Sequence, residues 1–341
     1  MQALLLIPGD GGQFHFGESG LDDSSDLLHS DTLFSALANI YEYALGGAER
    51  LIELVGSERL SFSSGFYALL KKNSDKPPLL FVPKPVVTWS VTDDRKRYKN
   101  LKYFSLGVLA EFFKHFNAHK LTSDLDLASL PTIGNEFVYF KGELDGAPGD
   151  FVNRSFRRFT TSPKVKVHTT PDDLDRLYYE TTVQFHSCSV AGARYEGAYC
   201  VLFDADRLST EERQEFLAAV RLLADEGVGG QRSSGKGQFR AVREVQIDIP
   251  STENAGAYLG LSVLSPADDD EFRALERYEL FVRGGGSLGW RGESEKQRKQ
   301  ARFVREGALM RRVVGGRIVD LSPDNEPDSI KRNGKNFAIP I

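Results

Sequence analysis

The stretch from Gly227 to Gly237 has the composition of a loop that binds phosphate groups. Five of its eleven residues are glycine, and the others include one arginine, one lysine and two serines, with no acid. Glycine lets another backbone come close, and successive amide groups in such a loop form a concavity that binds anions. We therefore predict phosphate contacts from Gly229, Gly230, Arg232, Ser233, Ser234, Gly235 and Lys236.

A nucleotide-binding P-loop is the first alternative for this glycine loop. Residues 230–236 fit the first seven positions of G-x-x-x-x-G-K, but the eighth is Gly237, where serine or threonine should hold magnesium. The predicted order is also reversed, because a helix precedes the loop and a strand follows it. The negative C-terminal end of that helix faces the loop, which argues against a bound nucleotide.

A second glycine motif, residues 284–289, matches the dinucleotide pattern G-x-G-x-x-G. The residues that follow it, 293–302, are almost wholly charged or polar. A Rossmann helix has to pack on a sheet, and this segment has no apolar face with which to do so. We interpret the motif as a basic loop.

Two predicted helices and four predicted strands position the glycine loop. Apolar residues repeat at helical spacing from Leu33 to Leu45, and Ser209 with Glu212 forms a capping box for the second helix. The order strand–helix–strand–strand–helix–strand is ferredoxin-like, with long insertions between the first helix and the second strand. The four predicted strands are residues 2–7, 181–185, 199–203 and 239–249.

Other segments give weaker patterns. Residues 51–70 are ambiguous, with a turn expected at 63–65, and residues 103–119 have helical spacing. Residues 141–173 are rich in glycine, proline and arginine, and the alternation at 164–168 indicates a hairpin with basic side chains facing outward. We predict one domain over residues 1–250, with insertions at about 86–180, and a smaller β-rich domain over 251–341.

The composition is that of a soluble globular protein, and we expect a cytoplasmic one. Of the 341 residues, 40% are hydrophobic and 27% are charged, and no apolar run approaches the ~18 residues of a membrane span. Two cysteines argue against a disulfide scaffold or a cysteine zinc site. The net charge of −5 weakens a simple nucleic-acid interpretation, but residues 283–317 carry ten bases against three acids, and local fields decide binding to a polyanion.

Several motifs together resemble one known family. The glycine loop resembles that of the RAMP superfamily of CRISPR proteins, and residues 29–37, His-Ser-Asp-Thr-Leu-Phe-Ser-Ala-Leu, resemble the first-helix motif of one branch. Residues 81–85, 278–284 and 305–307 also fit. The resemblance is to the Csm (type III-A) effector subunits that cap the 5′ end of the CRISPR RNA, and residues 86–180 match only loosely.

This resemblance implies a fold and a set of partners. It implies two ferredoxin-like (RRM-like) domains, no catalytic activity and no cofactor. The expected partners are crRNA with its repeat-derived 5′ tag, target RNA, the large polymerase-like subunit and the adjacent backbone subunit. A β-hairpin thumb that interrupts the guide–target duplex is expected at about residues 150–175.

The resemblance also implies RNA contacts outside the glycine loop. The thumb and its base would supply Arg154, Arg157, Arg158, Lys164, Lys166 and His168, for which a solvated basic hairpin is the alternative. Phe156 and Phe159 would stack on a base or form the core of the hairpin. Further candidates, which could equally be structural or solvated, are His29, Ser30, Lys99, Lys102 and Arg283.

Two other functions remain open at the level of sequence. A metal-independent endoribonuclease needs a general base and a general acid, for which His15 and His29 are candidates, with Lys236 stabilising charge. A metal-dependent nuclease is disfavoured because the acid clusters lie in loops without ligand-like spacing. A structural subunit that contacts only protein is the third possibility.

Overall fold

The computed structural model describes residues 1–17, 24–74, 76–90, 95–145, 155–166, 176–252, 255–284, 286–287, 296–324 and 330–341. The predicted thumb residues Arg154 and His168 lie outside these ranges. Lys166 is described only by its backbone. The second glycine motif is described only in part.

Two long helices, α1 and α5, contact each other and lie against the main sheet. The helices of the described ranges are α1 (Ser30–Ala44), α2 (Ala48–Gly56), α3 (Arg95–Asn100), α4 (Leu106–His115), α5 (Thr210–Glu226) and α6 (Asp269–Arg273).

The strands fall into a large N-terminal group and a group of short C-terminal strands. The first group is β1 (Gln2–Pro8), β2 (Gln13–Phe14), β3 (Ser61–Lys71), β4 (Leu79–Pro83), β5 (Thr88–Trp89), β6 (Tyr103–Ser105), β7 (Phe116–Asn117), β8 (Thr122–Ser123), β9 (Thr132–Ile133), β10 (Phe137–Val138), β11 (Arg157–Lys166), β12 (Arg176–Phe185), β13 (Cys188–Val190), β14 (Ala193–Asp204) and β15 (Phe239–Gln246). The second group is β16 (Tyr258–Gly260), β17 (Leu275–Arg277), β18 (Leu280–Arg283), β19 (Gly286–Ser287), β20 (Lys296–Gln297), β21 (Ala301–Val304), β22 (Leu309–Met310), β23 (Gly316–Asp320), β24 (Lys331–Lys335) and β25 (Ala338–Pro340).

The main sheet has the order β15-β1-β14-β3-β4-β6-β10-β9, with β13 paired to β14. Strand β1 pairs antiparallel with β14 on one side and with β15 on the other. Its apolar run, Ala3 to Ile7, is almost fully buried, which confirms the predicted strand over residues 2–7. Within this order, β15 lies on one side of β1. Strand β14 lies on the other side of β1, and β3 follows it.

The position of the insertion was predicted wrongly. The second strand of the main sheet is β3, residues 61–71, and the insertion follows it. The sequence predicts a turn at residues 63–65, but these residues belong to β3. The amide of Leu202 donates a hydrogen bond to the Ser63 hydroxyl at 2.9 Å inside the sheet. A Cβ on Gly65 would lie 3.0 Å from the Cβ of Leu28, so this glycine serves close packing.

The segment predicted as the second strand of the sheet belongs to a hairpin. Strand β11 pairs antiparallel with β12 through ten residue pairs, from Arg157–Phe185 to Lys166–Arg176. Strand β2 adds to the other side of β12, and the three form a separate sheet. The hairpin therefore extends beyond the predicted thumb, and its second strand includes residues 181–185, which the sequence predicts as the second strand of the ferredoxin-like unit.

The predicted helices are partly confirmed. Helix α5 has the predicted capping box between Ser209 and Glu212, and it ends at Gly227. Helix α1 contains nearly all of the predicted apolar repeat, and its N-cap residue, His29, forms no side-chain cap. The segment 103–119 is wrong as a single helix, because β6 precedes α4 and the Ser105 hydroxyl accepts from the Val108 amide to start that helix.

The C-terminal residues form a four-stranded sheet, β17-β22-β16-β25, and several two-stranded ribbons. Leu259, Leu261 and Ile339 belong to the same buried cluster as the N-terminal sheet. The hydrophobic core is therefore continuous across the predicted boundary at residue 250, and the division into two domains stays a prediction.

Candidate nucleic-acid interface

The glycine loop follows α5 and leads into β15, and three of its glycines permit close backbone approach. Gly229 has a φ of +89°, and a Cβ there would lie 2.4 Å from the carbonyl oxygen of His15. A Cβ on Gly230 would lie 2.8 Å from the His15 ring, and one on Gly237 2.3 Å from the Val228 carbonyl oxygen. Part of the glycine content therefore serves packing of the loop against the chain between β1 and β12.

The outer part of the loop is a solvent-exposed turn, which we call the crest and define as residues 232–235. Arg232, Ser233, Ser234 and Gly235 are all exposed. Gln231, just before the crest, and Gly235, its last residue, have left-handed conformations, with φ of 60° and 79°. The Ser234 hydroxyl donates to the Gln231 carbonyl at 2.8 Å. The crest thus presents a guanidinium and two serines to solvent, as predicted for a phosphate-binding loop.

Lys236 differs from the rest of the predicted loop. Its ammonium lies 2.5 Å from a carboxylate oxygen of Glu180 on β12, and the two side chains are only 12% and 3% exposed. Lys236 is therefore ion-paired with the hairpin, and its side chain is largely shielded from solvent. Glu180 was not among the predicted site residues.

His15 lies beneath the loop. Its Nδ1 donates to the Thr181 carbonyl at 2.8 Å, because a carbonyl oxygen can only accept. Its own carbonyl oxygen accepts from the Gly230 amide at 2.8 Å. The residue is 4% exposed and therefore connects the hairpin to the loop from inside the protein.

At the base of the hairpin, Arg157 is buried in an aromatic cage. The guanidinium lies 4.7 Å from the centroid of the Tyr67 ring and 5.2 Å from that of Phe137, and it forms a 2.8 Å ion pair with Glu136. Its side chain is 2% exposed. This arrangement gives Arg157 a role in anchoring the hairpin, in place of the RNA contact that we predicted for it.

The two phenylalanines near this base differ in environment. Phe156 is fully buried, with its ring centroid 5.0 Å from that of Phe137, so it belongs to the main core and cannot stack on a base here. Phe159 is 40% exposed and lies 4.9 Å from the Arg157 guanidinium. The side chains of Arg158 and Lys164 are exposed, which keeps both available to a ligand.

The first-helix motif lies in a buried polar cluster that connects distant parts of the chain. The His29 ring lies 2.8 Å from both a Glu306 carboxylate oxygen and the Ser25 hydroxyl. It is also stacked on Phe281 at a centroid distance of 5.3 Å. Asp31 forms a 2.9 Å ion pair with Arg283.

This cluster, which we call the buried junction, consists of His29, Ser30, Asp31, Ser64, Arg283, Glu306 and Arg332. All seven lie in the interior or have mostly buried side chains, and the Ser30 hydroxyl accepts from the Val263 amide at 3.0 Å. His29, Ser30 and Arg283 are therefore engaged by protein partners, and the predicted RNA contacts are replaced by structural ones.

The buried junction contains two carboxylates, Asp31 and Glu306, and two guanidiniums, Arg283 and Arg332. Burial raises the pKa of the Asp31 carboxyl, but the Arg283 and Arg332 guanidiniums outweigh burial and hold the pKa below its ordinary value of 3.8. Burial also raises the pKa of Glu306, and the His29 ring, with hydrogen bonds from His29 and Ser64, holds it below 4.5. Both carboxylates are therefore ionised in the folded protein at neutral pH.

The motif at residues 81–85 reaches the same region. The Val86 amide donates to the Gly307 carbonyl at 2.9 Å, and a Cβ on Gly307 would lie 2.9 Å from the Lys84 carbonyl oxygen. The Lys84 ammonium donates to the Tyr98 carbonyl at 2.5 Å, and burial lowers the pKa of Lys84 to about 8. Four of the motifs that carry the resemblance thus meet at or beside the buried junction.

The remaining predicted lysines lie on the surface of the insertion. Lys99 is exposed at the end of α3. Lys102 is half exposed, and its ammonium lies 2.8 Å from Glu136 and 3.7 Å from Asp26. These two residues are far apart in sequence from the glycine loop, and Lys102 shares its carboxylate partners with Arg157.

The residues missed by sequence reasoning are mostly the acids that pair with the predicted bases. Glu180, Glu136 and Glu306 each lie opposite a predicted cation or histidine. The alternation of β12 places Glu180 on the same side as Thr182, but only the pairing with β11 shows which side that is.

The described residues contain neither a metal-binding cluster nor a membrane-spanning helix. No group of three or more His, Cys, Asp or Glu side chains there could hold a metal ion. Across the same ranges, no helix combines the length and apolar character needed to cross a membrane.

Comparison with known proteins gives one consistent family. A sequence model described as the CRISPR Csm4 C-terminal domain matches residues 253–341. Three relatives described as CRISPR system Cms protein Csm4 are similar over most of their length. One from Methanocaldococcus jannaschii is 24% identical, covering 96% of this chain and 90% of its own. One from Streptococcus thermophilus is 22% identical, with 96% and 94% covered. One from Mycobacterium tuberculosis is 27% identical, with 90% and 88% covered.

Solved structures have the same fold. A chain in the crystal structure of a Csm3-Csm4 subcomplex of the type III-A CRISPR-Cas interference complex superposes with a TM-score of 0.65 at 19% identity, covering 100% of this chain and 99% of its own. A chain of the Csm1-Csm4 cassette in complex with cA4 gives a TM-score of 0.52 at 18% identity, with 100% and 97% covered.

Proposed function

We propose that this chain, which is similar to Csm4 subunits of type III-A CRISPR complexes over nearly its full length, is a non-catalytic RNA-binding subunit that holds the 5′ tag of crRNA in antiviral defence. The observation that carries this proposal is the exposed crest of the glycine loop. Arg232 supplies a guanidinium, and Ser233 adds a hydroxyl. These groups are common donors to phosphate oxygens.

The topology supports an RNA-binding scaffold. When β1, β3, β14 and β15 are numbered one to four along the chain, they lie in the sheet in the order four, one, three, two. Helices α1 and α5 connect them. We propose that this unit is ferredoxin-like (RRM-like) and that the β11–β12 hairpin is its thumb. The exposed bases Arg158 and Lys164 on β11 are in keeping with a hairpin that lies near RNA.

The proposed protein partners follow from the assemblies in which similar chains occur. Those chains come from a Csm3-Csm4 subcomplex and a Csm1-Csm4 cassette. We propose that this chain likewise docks a large polymerase-like subunit and an adjacent backbone RAMP subunit. Leu280 and Val282, on one face of β18, are each 50% exposed, which suits a protein contact.

Salt-dependent RNA binding tests the proposed function. The full chain is titrated with single-stranded RNA that carries the repeat-derived tag, at several salt concentrations. Arg232→Ala is expected to weaken binding and to reduce the slope of log affinity against log salt by about 0.7, because one phosphate contact and its counterion are lost. Arg221→Ala, an exposed arginine on α5, is the matched control. An Arg232 variant that binds with wild-type affinity and slope would contradict the proposal.

The proposed absence of catalysis concerns the two histidines that sequence reasoning made candidates. His29 is 1% exposed, with both ring nitrogens in contact with protein groups, and the Nδ1 of His15 is occupied by a carbonyl. The burial and protein contacts of the two rings support a non-catalytic role. Incubation with a repeat RNA is expected to give no site-specific cleavage, and cleavage that is abolished by His15→Ala or His29→Ala would overturn this part of the proposal.

A further inference from the structure

The glycine loop and the hairpin are joined through strand β2. The amides of Gly230 and Gly237 donate to the carbonyls of His15 and Gln13, each at 2.8 Å. On its other side, β2 pairs with β12 through Phe14–Val183 and Gln13–Gln184. The loop therefore bonds to the same short segment that forms the edge of the hairpin sheet.

Side chains add a second connection between the same two elements. Lys236 of the loop lies 2.5 Å from Glu180 of the hairpin, and the His15 ring donates to the carbonyl of the next hairpin residue, Thr181. Both members of the ion pair are largely buried. A buried carboxylate that loses its charged partner is costly to keep ionised, so transfer of Lys236 to an RNA phosphate is unfavourable.

The register of the hairpin shows which of its faces meets the loop. Glu180 lies opposite Ser162, and the pair two residues further toward the tip is Lys164–Tyr178. Residues two apart on a strand, and their direct cross-strand partners, share one face of the sheet. Lys164 is exposed and Tyr178 is half-buried. Lys164 and Tyr178 thus lie on the same face as Glu180, between the point where the loop is attached and the tip of the hairpin.

We propose that Lys236 is a positioning residue, which through its ion pair with Glu180 holds the loop against the hairpin face that carries Glu180 and Lys164. The crest and the Lys164–Tyr178 pair then contact one and the same RNA strand. Phosphate contacts come from Arg232 and Lys164, and Tyr178 supplies a surface for base stacking. This inference rests on the proposed function, since it assumes that the crest binds RNA.

The salt dependence of RNA binding tests whether Lys236 differs in role from Arg232 and Lys164. With the full chain and tagged single-stranded RNA, Arg232→Ala and Lys164→Ala each lower the salt slope by about 0.7. Lys236→Met and Glu180→Gln leave the slope unchanged but weaken binding to a similar extent, about tenfold, because both misplace the hairpin. A drop in slope for Lys236→Met would overturn the inference, because it would mean that the lysine contacts phosphate.

Charge exchange and hydrogen exchange distinguish positioning from general destabilisation. In the RNA-free chain, Lys236→Met and Glu180→Gln are expected to speed amide exchange in β12. The exchanged double variant, Lys236→Glu with Glu180→Lys, is expected to restore both slow exchange and RNA affinity. Single variants with wild-type exchange and affinity, or a double variant without rescue, would contradict the inference.

The salt series also distinguishes failure of the inference from failure of the proposed function. If Arg232→Ala leaves affinity and slope unchanged, RNA binding by the crest is wrong, whatever Lys236 does. If Arg232→Ala lowers the slope and Lys236→Met does so equally, only the positioning role is wrong. Tyr178→Ala is expected to weaken RNA binding without a change in slope, and Tyr178→Phe is expected to retain binding. An equal loss of affinity in the two variants would contradict the stacking contact.

Discussion

The buried junction and the glycine-loop crest both consist of polar residues from family-like motifs, yet they have opposite environments. In the junction, Asp31 and Glu306 are ion-paired in the interior. In the crest, Arg232 and its neighbours are exposed. The comparison teaches that residues typical of a sequence motif need not be the residues that are exposed to a ligand. The junction connects the first helix to the C-terminal strands, and the crest is the part that we propose to contact RNA.

The largest expected effect comes from removing one charge from the junction. Glu306→Ala leaves His29 and Ser64 without their acceptor, and breaking a buried pair on one side costs about 3–5 kcal/mol. We expect the free energy of unfolding to fall by that amount, as measured by urea denaturation. Glu53→Ala, an exposed acid on α2, is the control and should change it by less than about 0.5 kcal/mol. Equal effects of the two would contradict a structural role for the junction.

Acid should weaken the junction next most strongly. The folded-state pKa values of Asp31 and Glu306 lie below their ordinary values of 3.8 and 4.5. These two carboxylates therefore stabilise the folded protein fully above their ordinary pKa values. That stabilisation is lost as pH falls through their lower folded-state pKa values. Denaturation between pH 7 and pH 3 should show a steeper loss of stability for the wild type than for Glu306→Gln. Parallel curves would mean that Glu306 contributes nothing to acid sensitivity.

Within the glycine loop, the two kinds of glycine should respond differently. Gly229→Ala places a Cβ 2.4 Å from the His15 carbonyl oxygen at a φ of +89°, so it should lower stability by about 1–3 kcal/mol and weaken RNA binding. Gly235 also has a positive φ, but its Cβ position is open, so Gly235→Asn should be tolerated within about 1 kcal/mol. Thermal unfolding checks both, and equal losses would show that close packing against His15 is unimportant.

Local signals predicted the elements around the site well. The capping box of α5, the glycine that ends it and the apolar strand β1 depend on residues close in sequence, and all are present. The exposed crest followed from composition alone. Strand β3 was missed because Ser63, Ser64 and Gly65 resemble a turn, and their bonds to Leu202 and Leu261 come from distant segments.

The roles of individual charged residues could not be predicted for the same reason. His29 and Glu306 are 277 residues apart, and Asp31 and Arg283 are 252 apart. Arg157 and Arg158 are adjacent, but alternation on a strand buries one and exposes the other. Without the register of β11, the sequence cannot tell which of the two faces the aromatic cage.

The position of the RNA 5′ end in the assembled complex tests the account most directly. A cryo-electron microscopy map of the complex with crRNA is expected to show the tag phosphates against Arg232 and Ser233, with the Lys236–Glu180 pair intact and the junction free of RNA. A tag that runs elsewhere, with the crest covered by protein or left in solvent, would contradict the central claim.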